Sequence, residues 1–186
     1  MRVRVLILTI MFTGPAAIWA QHTPPSDSST DCPLHAQNVA ASPYAGQQSR
    51  EIKALSTEER EQLLSGHGMG LSRVAELNGF PGPKHVLELS ASLSLSEVQQ
   101  QTAQQLFDEM LTKAQALGRE IVDAEAALEA LFTGGAIDRE QLAAHVLEIG
   151  RLKGQLRLAH LEAHLRMHAE LDDSQTTAYD RLRGYR

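Results

Sequence analysis

The feature that most constrains this chain is a pair of long helical patterns that meet at two adjacent glycines, Gly134 and Gly135. The first pattern spans about residues 96–132 and the second about residues 138–170, and in both the apolar residues recur at steps of three and four. Glycine tolerates the positive φ that a sharp turn requires, so the chain can reverse between them. The sequence therefore predicts an all-α protein built on a long antiparallel helical hairpin, with short helices at both ends and no sheet.

The start of each long helix, and of a shorter one after them, carries the same local signal. A Ser or Asp stands at the N-cap and a Gln follows three residues later: Ser96 with Gln99, Asp138 with Gln141, and Asp172 with Gln175. In this capping box the N-cap side chain accepts from the N3 amide, and the N3 side chain bonds back to the N-cap amide. The three pairs predict three helix starts, and Ser56 with Glu59 predicts a short helix before them.

The N-terminal residues 1–20 have the pattern of a secretory signal peptide. Arg2 and Arg4 precede a short apolar run, and small residues at its end offer a cleavage point. The run is too short to span a bilayer, and an uncleaved anchor is the alternative interpretation. Residues 21–49 are rich in Ser, Pro, Thr and Gln without an apolar period, which predicts a flexible leader. Residues 50–186 are then the helical domain of an exported protein.

Charge and residue types exclude several classes of function. Loss of Arg2 and Arg4 with the signal peptide lowers the formal net charge from −6 to −8, and an acidic chain does not favour nucleic acid as a partner. The serines are concentrated in caps and in the leader, and no Ser-His-Asp arrangement is recognisable, so we do not expect an enzyme. The single cysteine, Cys32, has no internal disulfide partner.

One group of residues has the chemistry of a metal site: His160, His164 and His168. They are spaced by four residues, which places successive imidazoles on neighbouring turns of one helix. Paired histidines at this spacing bind divalent transition metals such as Zn²⁺, Ni²⁺ and Cu²⁺. Three further candidate ligands lie earlier in the chain: His67, Met69 and His85. They join the site only if the N-terminal helices fold over this end of the hairpin.

Two other interpretations of these histidines remain open from the sequence. They are solvated or edge residues of a long helix, with no ligand role. Alternatively they respond to pH, because imidazole titrates near pH 6.5 and neighbouring imidazolium groups would repel one another. No cofactor is certain on this evidence.

Two segments resemble a known family. Residues 95–99, Leu-Ser-Glu-Val-Gln, are similar to the Leu-Thr-x-x-Gln motif of the Spy/CpxP group of bacterial periplasmic stress proteins, and residues 171–175, Leu-Asp-Asp-Ser-Gln, look like its second copy. The same group includes heavy-metal resistance and sensor proteins of the ZraP and CnrX type. Residues 68–89 also look like one branch of these proteins, and the resemblance covers roughly residues 51–184.

The resemblance implies a curved, all-helical, non-enzymatic protein of the periplasm that is often a homodimer. Its leading functional implication is chaperone-like binding of unfolded or envelope proteins during envelope stress. Heavy-metal sensing or resistance is one alternative, and a structural module that docks a membrane signalling partner is another. Client-binding relatives present a basic concave face, whereas here a local basic strip would have to come from four residues: Arg151, Lys153, Arg157 and Arg166.

Overall fold

The computed structural model describes residues 41–135 and 137–185, and within them the chain is helical and contains no strand. A 3-10 turn, Gln47–Ser49, precedes the helices, which are α1 Thr57–Ser65, α2 Arg73–Glu76, α3 Pro83–Glu88, α4 Glu97–Gly134, α5 Arg139–Glu170 and α6 Asp173–Leu182. The predicted all-α hairpin is therefore confirmed. The predicted signal peptide and Cys32 lie outside the described residues. None of the helices described is both long enough and apolar enough to cross a membrane.

The hairpin of α4 and α5 turns where the sequence predicts it. Gly135 ends α4 in the left-handed conformation, with φ 66°, and its amide donates to the Phe132 carbonyl oxygen at 3.2 Å. Both predicted long helices agree with the observed bounds to within two residues. All four predicted capping boxes are present, with the N-cap side chain and the N3 side chain each bonded to the other's backbone amide.

Among the described residues, three ion pairs cross between the two arms of the hairpin. They join Lys153 Nζ to Glu125 Oε1 at 2.6 Å, Arg166 Nη1 to Glu109 Oε2 at 2.7 Å, and Lys113 Nζ to Glu162 Oε2 at 3.4 Å. In two of these pairs a carboxylate of α4 meets a cation of α5, and in the third the signs are reversed. An exposed pair contributes only about 0–1 kcal/mol. The side chain of Glu125 is buried although it is charged.

The core has two parts, one at mid-hairpin and one at the open end. The first contains Ile52, Leu55, Leu63, Ala114, Leu117, Ile121, Val122, Leu152, Leu156 and Ala159. Here α1 lies so close to α4 that a Cβ on Gly118 would stand 2.0 Å from the Leu63 carbonyl oxygen. The second contains Val86, Leu93, Leu95, Ala103, Leu106, Met167 and Tyr179, and it joins α3 and α6 to the hairpin.

The tip of the hairpin differs from the sequence prediction. The apolar recurrence that predicts the packed faces of the two long helices includes Leu142 and Val146 in α5 and Phe132 in α4, yet all three side chains are exposed. The reason is that neither core cluster extends to the tip: one lies at mid-hairpin and the other at the open end, where the N-terminal helices and α6 pack.

Candidate metal centre

The segment from the end of α1 to α3 folds over α5 and, together with α4 and α5, lines an open cavity of about 580 Å³. Its lining includes His67, Met69, Glu76, His85, Phe107, Met110, Leu111, His160 and His164. The N-terminal helices therefore do fold over the end of the hairpin that carries the histidines. As a result, the three candidate ligands from the N-terminal segment line the same cavity as two histidines of α5.

Glycines shape the segment that covers the cavity. Gly66 ends α1 with φ 74°, and Gly70 repeats that left-handed conformation at the end of the following loop. Gly82 precedes α3 and packs directly on an imidazole: a Cβ there would lie 2.7 Å from Nε2 of His164. A side chain at position 82 would therefore displace the His164 ring.

His160 lies on the buried face of α5 and is 3% exposed. Its Nδ1 is 2.8 Å from the Met110 sulfur, and within the described part of the chain its buried Nε2 has no hydrogen-bond partner. Burial, and then the nearby His164, lower the pKa of His160 below its ordinary value. The imidazole is therefore neutral at physiological pH. With the proton on Nδ1, facing the sulfur, the Nε2 lone pair is available to a ligand.

His164 lies one turn further along α5, and its Nδ1 also faces a protein acceptor. Its Nδ1 is 2.8 Å from the carbonyl oxygen of Phe80 and 3.6 Å from Glu76 Oε2. A carbonyl oxygen only accepts, so Nδ1 carries the proton and Nε2 the lone pair. Metal-binding histidines commonly donate the other ring N–H to a carbonyl or a carboxylate, which fixes the tautomer.

Glu76, at the end of α2, is a carboxylate in the cavity lining that the sequence analysis did not identify, and Arg183 Nε lies 3.6 Å from its Oε1. Its Oε1 accepts from the hydroxyl groups of Tyr179 and Tyr185, the latter at 3.1 Å. Burial and the Glu76 carboxylate raise the pKa of Tyr179, so the phenol stays protonated and donates. Glu76 Oε2 is buried and accepts no hydrogen bond from any residue that the structure describes.

The remaining candidate ligands are placed differently. His168 is not part of the cavity lining; its ring packs on Phe80 with centroids 4.4 Å apart. His67 Nδ1 is 2.5 Å from the Ser65 hydroxyl oxygen, and His85 Nδ1 is 3.5 Å from Glu76 Oε1. The structure thus places His160 and His164 in the lining of one cavity and leaves His168 out of that lining. The interpretation of the three histidines as solvated fails for His160, which is buried.

The donor set fits a transition metal in chemical type. It offers the Nε2 lone pairs of two imidazoles, and imidazole suits Zn²⁺, Ni²⁺ and Cu²⁺. Buried polar atoms normally have partners, and a cation would supply one to His160 Nε2. Met110 sulfur and Glu76 Oε2 lie on the Nδ1 sides of the two rings. In residues 41–135 and 137–185, no group of three His, Cys, Asp or Glu side chains is already arranged around one point. Binding would therefore require side-chain rotation.

The fold is that of a small all-α protein built on a helical hairpin, with two histidines of α5 in the lining of the cavity at its covered end. A protein-family model described as heavy-metal resistance matches residues 64–178, which is more than half of the chain. The protein therefore belongs to the heavy-metal resistance family, part of the Spy/CpxP/ZraP-like helical group. Proteins of this family are non-enzymatic resistance or sensor proteins. No curated protein and no solved structure matches the chain.

Proposed function

We propose that this heavy-metal resistance protein binds a divalent transition metal in the cavity between α5 and the α2–α3 segment, in the periplasm. The ion is held by Nε2 of His160 and of His164, and the carboxylate of Glu76, on the Nδ1 side of His164, supplies negative charge nearby. The observation that carries the proposal is that both imidazoles have Nδ1 directed at a protein acceptor, Met110 sulfur or the Phe80 carbonyl, which leaves both Nε2 lone pairs for an ion.

Each residue has a distinct part in binding. The buried, neutral His160 loses no proton when it binds a metal at neutral pH, because burial already disfavours its charged form. Phe80 orients the ring of His164 through its carbonyl oxygen. Glu76 supplies negative charge, and the two tyrosines that donate to its Oε1 fix the direction of Oε2. Uptake should weaken in acid, since protons compete for the same nitrogens.

Calorimetric titration with Zn²⁺, Ni²⁺ and Cu²⁺ tests the proposal. The wild-type protein should bind one equivalent of at least one of these ions, and the variant His160→Ala/His164→Ala should bind it at least about 100-fold more weakly, since both imidazole ligands are removed. The control is His145→Ala, because His145 is on the same helix but outside the cavity lining. Equal affinity in the wild type and the double variant would contradict the proposal.

A second candidate function is chaperone-like binding of unfolded or envelope proteins at the tip of the hairpin. Phe132, Leu142 and Val146 are exposed there, and exposed apolar residues in one region can hold apolar segments of a client. The purified protein at a stoichiometric ratio should suppress aggregation of a denatured client, and Phe132→Ser/Val146→Ser should suppress it less. Leu182→Ser on α6 is the control, because Leu182 is similarly exposed. Absence of suppression by the wild-type protein would remove this candidate.

A further inference from the structure

The cavity has an apolar side that neither part of the core accounts for. Phe107, Met110 and Leu111 are spaced i, i+3 and i+4 on one face of α4, and all three line the cavity. Their side chains are half-buried, and none of them belongs to either core cluster. Leu77, just after α2, adds an apolar side chain that is 56% exposed. The cavity therefore leaves apolar surface in water that a bound ligand would cover.

Two cations lie at the rim of the same cavity. Arg73 of α2 and Lys84 of α3 both line it, and both residues are exposed. Neither side chain makes an ion pair or a hydrogen bond within the part of the chain that the structure describes. Two cations without an acidic partner thus stand beside apolar surface, in a chain whose formal net charge is −6.

The acidic side chain of the lining, Glu76, is already faced by hydrogen-bond donors and a cation. Its Oε1 accepts from the hydroxyl groups of Tyr179 and Tyr185, and Arg183 Nε lies 3.6 Å from the same oxygen. Its side chain is only 12% exposed. A cationic ligand would therefore meet a carboxylate that is covered and compensated, whereas an anionic ligand would meet two exposed cations without partners.

We infer that the cavity binds a small single-chain amphiphilic acid, such as a medium-chain fatty acid. The anionic head lies at Arg73 and Lys84, and the chain covers the apolar face of α4 at Phe107, Met110 and Leu111. Guanidinium and ammonium groups form charge-assisted hydrogen bonds with the oxygens of a carboxylate or a phosphate, so either head fits the rim. The volume of about 580 Å³ lies within the range of small-molecule sites, roughly 300–1,000 Å³.

The inference does not rest on metal binding, because neither Arg73 nor Lys84 is a ligand of the proposed ion. All titrations use metal-free protein, so that an acid held by a bound ion is not counted. A failure of metal binding and a failure of acid binding are therefore separate results.

Calorimetric titration with decanoate and with decyl phosphate, each below the concentration at which it forms micelles, tests the head group. The wild-type protein should bind one equivalent of at least one of the two acids, and Arg73→Ala/Lys84→Ala should bind it at least about tenfold more weakly. Arg157→Ala is the matched control, because Arg157 is exposed and lies outside the cavity lining. Absence of saturable binding of both acids, or equal affinity in the double variant, would overturn the inference.

A cationic analogue separates the two electrostatic alternatives in the wild-type protein itself. Decylammonium has the same chain with the opposite charge, so it should bind at least about tenfold more weakly than decanoate. If decylammonium binds as tightly as decanoate, Glu76 directs binding and the inference is wrong.

The chain and its location are tested by length and by a distant variant. Decanoate should bind about 15-fold more tightly than octanoate, because each of its two further CH₂ groups contributes about fourfold when it leaves water. Phe132→Ser/Val146→Ser should keep the wild-type affinity, since the hairpin tip lies outside the cavity lining. Equal affinity for the two chain lengths would contradict an apolar site, and a loss of affinity in the tip variant would place the ligand at the tip instead.

Discussion

The side-chain amides of Gln99 and Gln175 hydrogen-bond to each other in both directions. Gln99 Nε2 donates to Gln175 Oε1 at 2.8 Å, and Gln175 Nε2 donates to Gln99 Oε1 at 3.1 Å. Each glutamine also completes the capping box of its own helix, so the starts of α4 and α6 are joined directly. Further bonds to the carbonyl oxygens of Glu170 and Leu93 connect this pair to the end of α5 and to the segment before α4.

The contact between Gln99 and Gln175 predicts that two glutamines with the same capping role, Gln175 and Gln141, stabilise the fold by different amounts. Gln175→Ala should lower the free energy of unfolding by about 1–3 kcal/mol, because it removes a cap, the hydrogen bonds between the two glutamine amides and the Gln175 amide that donates to the Leu93 carbonyl oxygen. Gln141→Ala, which removes an exposed cap at the hairpin tip, should cost roughly 1 kcal/mol or less. Urea denaturation measures both. Equal losses would show that the contact between α4 and α6 adds nothing.

The close approach of α1 to α4 makes Gly118 irreplaceable. Gly118→Ala should lower the free energy of unfolding by about 3 kcal/mol, since its Cβ would overlap the backbone at Leu63 and the two helices would have to separate. Gly134→Ala is the control, because a Cβ there meets nothing within 4 Å among the residues described, and it should be neutral or slightly stabilising. Comparison of the urea midpoints checks this. If the two variants behave alike, the helices are not in contact at Gly118.

The buried His160 predicts how stability depends on pH. Its folded pKa is lowered below the ordinary value of 6.5, so the unfolded state binds more protons in this range. The stabilisation is complete above about pH 6.5 and is lost as the pH falls from there through the folded pKa. Denaturation at several pH values should show this loss in the wild type and a smaller one in His160→Gln. His145→Gln should keep the wild-type profile, and identical profiles for all three proteins would contradict the assignment to His160.

The structural features that form between residues close together in the chain were predictable from the sequence. A capping box is a contact between residues three apart, so Ser96 with Gln99 and Asp138 with Gln141 indicated both helix starts. The i, i+4 spacing likewise indicated that His160 and His164 share a face of α5. The gap between the two long helical patterns was sufficient to predict the hairpin.

The other parts depend on contacts that no local pattern encodes. Glu76 meets Tyr179 across 103 positions of the chain, and His160 meets Met110 across 50. No periodicity marks such partners in advance. His168 has the same spacing as the other two histidines, but Phe80 packs on its ring, so spacing alone does not determine which members of the series share the cavity.

The central claim is that His160 and His164 bind a metal through Nε2, and imidazole nitrogen NMR during a Zn²⁺ titration tests it most directly. At one equivalent the Nε2 resonances of both residues should move by many ppm while their Nδ1 nitrogens stay protonated, and the resonances of His145 should not change. If the Nε2 resonances of His160 and His164 stay in place, or if every histidine shifts alike in proportion to added metal, the proposed site is wrong.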